Sequence, residues 1–555
     1  MKPNSLNPTH PATNKPVTAN DSSRRSHSVA ATPPTDSAKS FWKSWPWWLT
    51  PSLIALLLVL LFVDPFIGDW DGMDYTMLSL AGYPSSMALG RNLFIFGNHA
   101  LYKIASSLFN VQPENAYLIF KYAVVAQVPF AVIACWVLAR DFTKSVHAAT
   151  LAALFIAVSP VFVLYGGQVM TDVPSVLLLA VALFIHYRGL REERIWKVML
   201  GAALLGLGMN LRETIGFYAP WLVFAPFVCG WKLQRRHVVI IILACLLFLL
   251  CAGGWFAYWF LTVDHYRGIW FGWRESMRQE TARHPITLQN LKPYLTYFFV
   301  SAPLVFVSLA FAFRNEWRER RMSPLLLLGL TGLFANLLLF LNYSTSVNWR
   351  YFLTGLPALA PLSASFLIRT LGRRFGSVRL AFISCLVALL TLGVVFSLLI
   401  RPASRQFIER RAMSKQYRYQ LEKLPRDAVM ISGSQTIAVT YWKAIGLGEW
   451  QTIGTGGGWP GDDFVPLIEN YLKEGRRVFL DADPRWWLPC GWQRDEIPVI
   501  VRLQEQFRFR RVTDTIYEIR PPFEKGVGAD EHPHLERLLP ENRPEDTKKC
   551  PLVSS

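Results

Sequence analysis

Residues 197–231 read KVMLGAALLGLGMNLRETIGFYAPWLVFAPFVCGW, an apolar stretch whose middle carries the charged pair Arg212-Glu213. As one helix it would run about 50 Å, too long for a single tilted membrane span. Lys197 opens it, and Lys232, Arg235 and Arg236 follow it, so both ends are basic. Two short helices turning at Arg212-Glu213 satisfy length and charge together. Further apolar runs long enough to cross hydrocarbon recur outward from it. They lie near 47–66, 117–139, 146–165, 171–187, 238–262, 293–313, 324–342, 351–368 and 380–400. The sequence therefore predicts a polytopic α-helical membrane protein with about 11 transmembrane helices.

Composition agrees, with 52% hydrophobic and only 17% charged residues in a chain of 555. Residues 1–45 are rich in Ser, Thr, Pro and Asn, too polar to offset chain entropy by burial, and are expected to form a disordered tail. This segment is too long and polar for a cleaved signal peptide, so the first span is expected to stay as an anchor. The net charge is +18. It is scattered and lacks a nucleic-acid motif, which argues against nucleic acid as a partner. Lys and Arg instead mark short loops: Arg140 and Lys144; Arg188, Arg191 and Arg194; Arg314, Arg318, Arg320 and Arg321; Arg369, Arg373 and Arg374. The positive-inside rule makes that face cytoplasmic, together with the N-terminus.

The extracytoplasmic face then takes the loop 67–116, the turn 166–171, the loop 263–292 and everything after Arg401. The expected domains are the tail 1–45, a transmembrane domain 46–400, a small α/β domain 401–522 and a disordered tail 523–555. Within the α/β domain, residues 428–431 and 478–480 read as buried strands, 464–473 as an amphipathic helix and 509–519 as a later strand. Of seven cysteines, Cys490 and Cys550 fall in this outer region, where a disulfide between them could form.

Charged residues on that outer face carry the chemistry. Gly68-Asp69-Trp70-Asp71-Gly72-Met73-Asp74-Tyr75 places three carboxylates where the first span leaves the membrane. Carboxylates there need solvent, a partner or a cation. Asp71 or Asp74 could simply cap a short helix; either could also take a proton from an acceptor or hold a divalent metal. Asp172, in Met170-Thr171-Asp172-Val173-Pro174, reads as a helix start or as a second acid of the same site. Arg212 is either an interfacial partner of Glu213 or a phosphate clamp, since guanidinium grips phosphate oxygens two at a time. Arg350-Tyr351 is either a snorkelling anchor or part of that clamp. The aromatic loop 265–274 has both belt and binding character. His99, His265 and His284 are too scattered for a metal signature. Acids and arginines on one outer face suit group transfer from an anionic, lipid-borne donor.

Three stretches resemble the GT-C glycosyltransferases, in particular the relatives of the protein O-mannosyltransferases and the lipid A aminoarabinose transferase (the family 39-like group). Asp69-Trp70-Asp71-Gly72-Met73-Asp74-Tyr75 resembles their first-loop acidic motif ending in Tyr. Met170-Thr171-Asp172-Val173-Pro174 resembles their acidic entry to the fourth span. Asn348-Trp349-Arg350-Tyr351-Phe352-Leu353 with Leu356-Pro357-Ala358-Leu359 resembles their Arg-Tyr and Leu-Pro stretch, and Gly201–Leu207 before Arg212 also fits. The likeness covers roughly 47–400. The family motif has adjacent Asp-Glu, whereas the acids here alternate and Gly72 follows Asp71. Aligned on Tyr75, Asp71 takes the catalytic place, with Asp69 its neighbour.

The resemblance implies inverting transfer of a sugar from a polyprenyl-phosphate donor to a lipid, glycan or protein acceptor outside the cytoplasm, in a bacterial inner membrane. Asp71 would deprotonate the acceptor, while Arg350, Tyr351 and Arg212 would hold the donor phosphate. Asp74 and Asp172 would serve as acceptor or second acidic site. A divalent ion, Mg or Mn, could sit on Asp69 and Asp71. The rival readings are a transporter or flippase of a lipid-linked or small anionic substrate, and an assembly subunit with a binding module. A transporter often shows intramembrane charges and inverted repeats; the acids instead cluster at one surface, and no repeat is apparent.

Overall fold

A computed structural model describes residues 44–63, 70–85, 90–263, 266–268, 270, 271, 274, 278, 288–318, 322–342, 349–393, 418–432, 436–454, 464–481, 503 and 505–521. Asp69, His265, His284, Asn348, Cys490, Cys550 and both expected disordered tails, apart from Ser44 and Trp45, lie outside them. The chain divides into residues 1–45 and 46–555, and the elements below belong to the second unit, apart from the first residue of the first helix.

Helices α1 (Trp45–Phe62), α2 (Trp70–Ala81), α3 (Asn92–Phe109) and α4 (Ala116–Thr143) come first. They are followed by α5 (Val146–Ala157), α6 (Pro160–Gly166), α7 (Asp172–Arg191), α8 (Ile195–Met209), α9 (Ala219–Val228) and α10 (Arg235–Thr262). Then come α11 (Leu288–Ser301), α12 (Pro303–Arg318), α13 (Pro324–Asn342), α14 (Leu356–Phe375) and α15 (Val378–Gly393). Among the described residues, five helical stretches are long and apolar enough to cross a membrane, or seven if each of two bent pairs is one span. The helices α8, α13 and α15 are apolar but shorter.

The stretch 197–231 does fold as two short helices, with the turn at Asn210–Arg212 and a 3-10 segment Glu213–Tyr218 between them. Gly201 and Gly206 let α8 lie against its neighbours. A Cβ on Gly201 would sit 2.5 Å from His186 Cβ, and one on Gly206 would strike the Phe248 carbonyl.

Two expected spans are not straight. The break between α5 and α6 bends by 60° and that between α11 and α12 by 104°. Pro160 and Pro303 stand just beyond the breaks, and proline disfavours helical geometry in the residue before it. The Ser159 hydroxyl donates to the Ser301 carbonyl at 2.7 Å, joining the two breaks.

Acidic residues join the basic loops in two pairs. Asp141 accepts from Lys144 at 2.6 Å, Arg188 at 3.2 Å and Arg191 at 2.9 Å. Glu316 pairs with Arg369 at 3.0 Å, joining the other two loops.

After residue 417, five strands form one sheet: β1 (Val429–Ser432), β2 (Gln451–Gly454), β3 (Val478–Asp481), β4 (Arg508–Arg511) and β5 (Ile516–Arg520), in the order β2-β1-β3-β5-β4. The first three are parallel, with Met430 level with Thr452 and Phe479; β5 runs antiparallel to β3 and β4. Helices α16 (Thr436–Ala444) and α17 (Phe464–Lys473) connect the parallel strands. The expected strand 509–519 is a hairpin instead. Polar Thr513-Asp514-Thr515 turns the chain, and Val512 and Thr513 donate to the Ile516 carbonyl at 2.9 and 3.1 Å. One sheet face packs Val429, Ile431, Val478 and Ile519 on Ile468 of α17. The other packs Met430, Phe479 and Ile516 with Leu421, Tyr441 and Met73 of α2.

Candidate active site

Helix α2 starts inside the acidic motif. Positions 71, 74 and 75 lie three and four apart and share a face. Asp71 forms an ion pair with Arg350, which is only 6% exposed. Arg350 is therefore not a snorkelling anchor. Its guanidinium lies over the rings of Tyr165 at 5.7 Å and Tyr351 at 5.6 Å, with Nη1 3.5 Å from Met170 Sδ.

Arg212 lies over the same Tyr351 ring at 4.8 Å and pairs with Asp172. Both partners are 1% exposed. This overturns two bland readings. Asp172 holds a guanidinium rather than only starting α7, and Arg212 does not pair with Glu213. Among the described residues, Arg212 Nε and Nη2 and Asp172 Oδ2 are buried without a hydrogen-bond partner.

Glu213 instead accepts from Arg91 at 2.5 Å, and Arg91 Nε donates to the Tyr75 hydroxyl at 2.6 Å. Arg91 was not singled out from the sequence. It sits at φ 66°, is 2% exposed and precedes α3. Gly90 beside it has φ 89°, and a Cβ there would lie 2.7 Å from Glu213 Oε2. The adjacent Gly90-Arg91 was the available signal, since a glycine commonly allows close backbone approach.

Backbone contacts fix these parts together. Leu93 N–H donates to the Asn210 carbonyl at 2.9 Å, and the Tyr218 hydroxyl to the Thr354 carbonyl at 2.7 Å. The second bond ties the hairpin carrying Arg212 to the 3-10 segment Trp349–Gly355, which carries Arg350 and Tyr351. Asp71, Asp74, Tyr75, Asp172, Arg212, Arg350 and Tyr351 thus converge, joined by Arg91, Glu213, Tyr165 and Met170.

Electrostatics separates the two acids of α2. Burial opposes the Asp71 charge, but the guanidiniums of Arg350 and Arg91 outweigh it and hold the carboxyl below the usual range. Burial and then the Asp71 charge push the Asp74 carboxyl up to about 7, against the pull of Arg91. Of the expected metal pair, Asp69 lies outside the described residues. Asp71 is already paired with Arg350, and no group of three His, Cys, Asp or Glu is poised for a metal among them. His99 is instead bonded through Nδ1 to the Ser79 carbonyl at 2.7 Å.

Residues 98–255 match the family described as dolichyl-phosphate-mannose-protein mannosyltransferase. No curated protein matches the sequence. Among solved structures, ArnT from Cupriavidus metallidurans in the apo state is 14% identical, with a TM-score of 0.51 over 87% of this chain and 98% of that one. Its form bound to undecaprenyl phosphate gives 14% and 0.51 over 86% and 98%. An oligosaccharyltransferase of Archaeoglobus fulgidus, in complex with Zn and sulfate, is 11% identical with a TM-score of 0.47 over 86% of this chain and 73% of that one, too loose to carry an argument. Residues 98–255 thus resemble that mannosyltransferase family in sequence, and the chain as a whole shares its fold with ArnT.

Proposed function

We propose that the protein transfers a sugar from a polyprenyl-phosphate donor to a hydroxyl-bearing lipid, glycan or protein acceptor, with inversion, on the extracytoplasmic face of a bacterial inner membrane. The observation that carries this reading is the pairing of Asp71 with Arg350 beside Arg212, whose Nε and Nη2 are buried without a partner among the described residues. Buried donors of that kind suit an anionic ligand, because an unpaired guanidinium N–H is costly to leave unmet.

In this reading the departing lipid phosphate takes hydrogen bonds from Arg212 and Arg350 across the Tyr351 ring. That stabilises the charge that develops as the sugar–phosphate bond breaks with oxocarbenium character. Asp71 receives the acceptor's proton as its oxygen attacks from the opposite side. Phosphate also draws Arg350 away from Asp71. The carboxylate becomes more basic as the donor seats, since a nearby cation is what holds its pKa down. Asp172 keeps Arg212 in place, and Asp74 is the second acid on the acceptor side.

An apolar cavity of about 480 Å³ supports a lipid-borne donor. Ile54, Leu58, Val163, Leu164, Pro303 and Leu389 are among its lining residues. Val163 and Leu164 of α6 face it, and Tyr165 on the same helix lies beneath Arg350. The ArnT structure with undecaprenyl phosphate has the same fold. The basic loops around Asp141 and Glu316 support a cytoplasmic opposite end, and the packing of Met73 in the sheet core supports an α/β domain, 401–522, on the side of the site.

The deciding experiment places the full chain and its Asp71→Asn variant in membranes with a labelled polyprenyl-phosphate sugar. Loss of labelled product with donor binding retained is expected. Transfer at the wild-type rate by the variant would sink the assignment.

A further inference from the structure

Met73 lies between Asp71 and Asp74 in sequence, yet it faces elsewhere. Two residues along a helix turn the side chain by about 200°. Met73 is 6% exposed in a core with Leu421, Met430, Val439, Tyr441, Phe479 and Ile516, all of the α/β domain. Leu80, two turns later on the same stripe, packs against that core, as does Tyr117 near the start of α4. Helix α2 therefore has two commitments. One edge supplies Asp71 and Asp74 to the site, and the other is built into the hydrophobic core of the soluble domain. Twelve residues are too few to hold a helix in water without tertiary packing. That packing also fixes the helix's rotation and depth.

We infer that the α/β domain buttresses the active site from behind α2 and that Met73 is a positioning residue for Asp71. This rests on the reading of Asp71 as the base. Truncating Met73 leaves a void where the sheet meets α2, the helix relaxes into it, and Asp71 moves off its line to the acceptor. A displacement near 1 Å at a reacting group costs about 10²-fold in rate.

The test uses the full chain and two readouts. In the transfer assay with a labelled polyprenyl-phosphate sugar, Met73→Ala should lower kcat by about 10²-fold with KM for the donor unchanged. Met73→Leu, which conserves volume, should restore the rate. The second readout needs no turnover. In an Asp71→Cys chain, the rate of labelling by a small thiol reagent, above the background of the native cysteines, should change on adding Met73→Ala and return with Met73→Leu. Should Met73→Ala fail to accumulate, Leu80→Ala is read by the same two measurements. Wild-type kcat and an unchanged labelling rate would overturn the inference. Altered labelling combined with full activity of Asp71→Asn would uphold the mechanical link and discard the base assignment instead.

Discussion

Two carboxylates at opposite ends of the bundle each gather basic partners, and they do so differently. Asp141 binds Lys144, Arg188 and Arg191, whose side chains are 54%, 33% and 45% exposed. Asp71 binds Arg350 within a group whose arginines at 91, 212 and 350 are nearly sealed from solvent. The first cluster is wet, with arginines that can reach water as well as Asp141. The second is assembled from residues far apart in sequence, and among the described residues it leaves Arg212 Nε and Nη2 and Asp172 Oδ2 buried with no hydrogen-bond partner. Desolvated charges with unmet hydrogen-bonding capacity cost stability. Among the described residues the Asp141 cluster is satisfied as it stands, whereas the cluster around Arg212 is not.

The comparison is tested most severely at Asp71. Asp71→Asn should reduce kcat by about 10²–10⁴-fold, the range for losing a general base, measured as product formed at saturating donor. Arg91→Gln should leave the partly buried Glu213 carboxylate without its guanidinium partner and lower stability by about 1–3 kcal/mol, read as a fall in melting temperature of the detergent-solubilised chain. Arg212→Lys keeps the charge and loses the planar fork, so donor affinity should fall about 10–100-fold, measured with a labelled lipid phosphate.

Asp74 gives a prediction in pH. Its folded pKa is raised from 3.8 to about 7, so between those values the folded chain holds a proton that the unfolded chain has released. Stability from this group is full below 3.8 and is lost as pH rises through 7. The Asp74→Asn variant should therefore melt progressively higher than the wild type across that window and by a constant margin above it. The smallest effect on activity is expected at the wet cluster. Asp141→Asn should change stability by about 1–3 kcal/mol and leave KM and kcat unaltered. A change in KM there would break the distinction drawn between the two ends.

Much of the site was legible because its parts violate the rule for their surroundings. Asp71, Asp172, Arg212 and Arg350 are charges at the edges of apolar runs, and each demands a partner. Their partners were less legible. Arg212 sits beside Glu213 in sequence, yet it pairs with Asp172, 40 positions away. Arg91 was missed because it lies in a loop and its left-handed backbone has no hydropathy signature. In the α/β domain, β1 and β3 were readable as apolar runs. The strand β2, Gln451-Thr452-Ile453-Gly454, buries only one apolar side chain and leaves little pattern. The bends at Pro160 and Pro303 were marked by proline, but continuous hydropathy across them favoured straight spans.

The hydrogen bond from Ser159 to the Ser301 carbonyl has a mechanical consequence. Both bent helices border the same apolar cavity. One hydroxyl thus couples one kink to the other, by the ~1 kcal/mol that a single hydrogen bond contributes. On the proposal that this cavity seats the donor's lipid, Ser159→Ala loosens the coupling without altering a single charge and should widen the range of chain lengths and branching accepted.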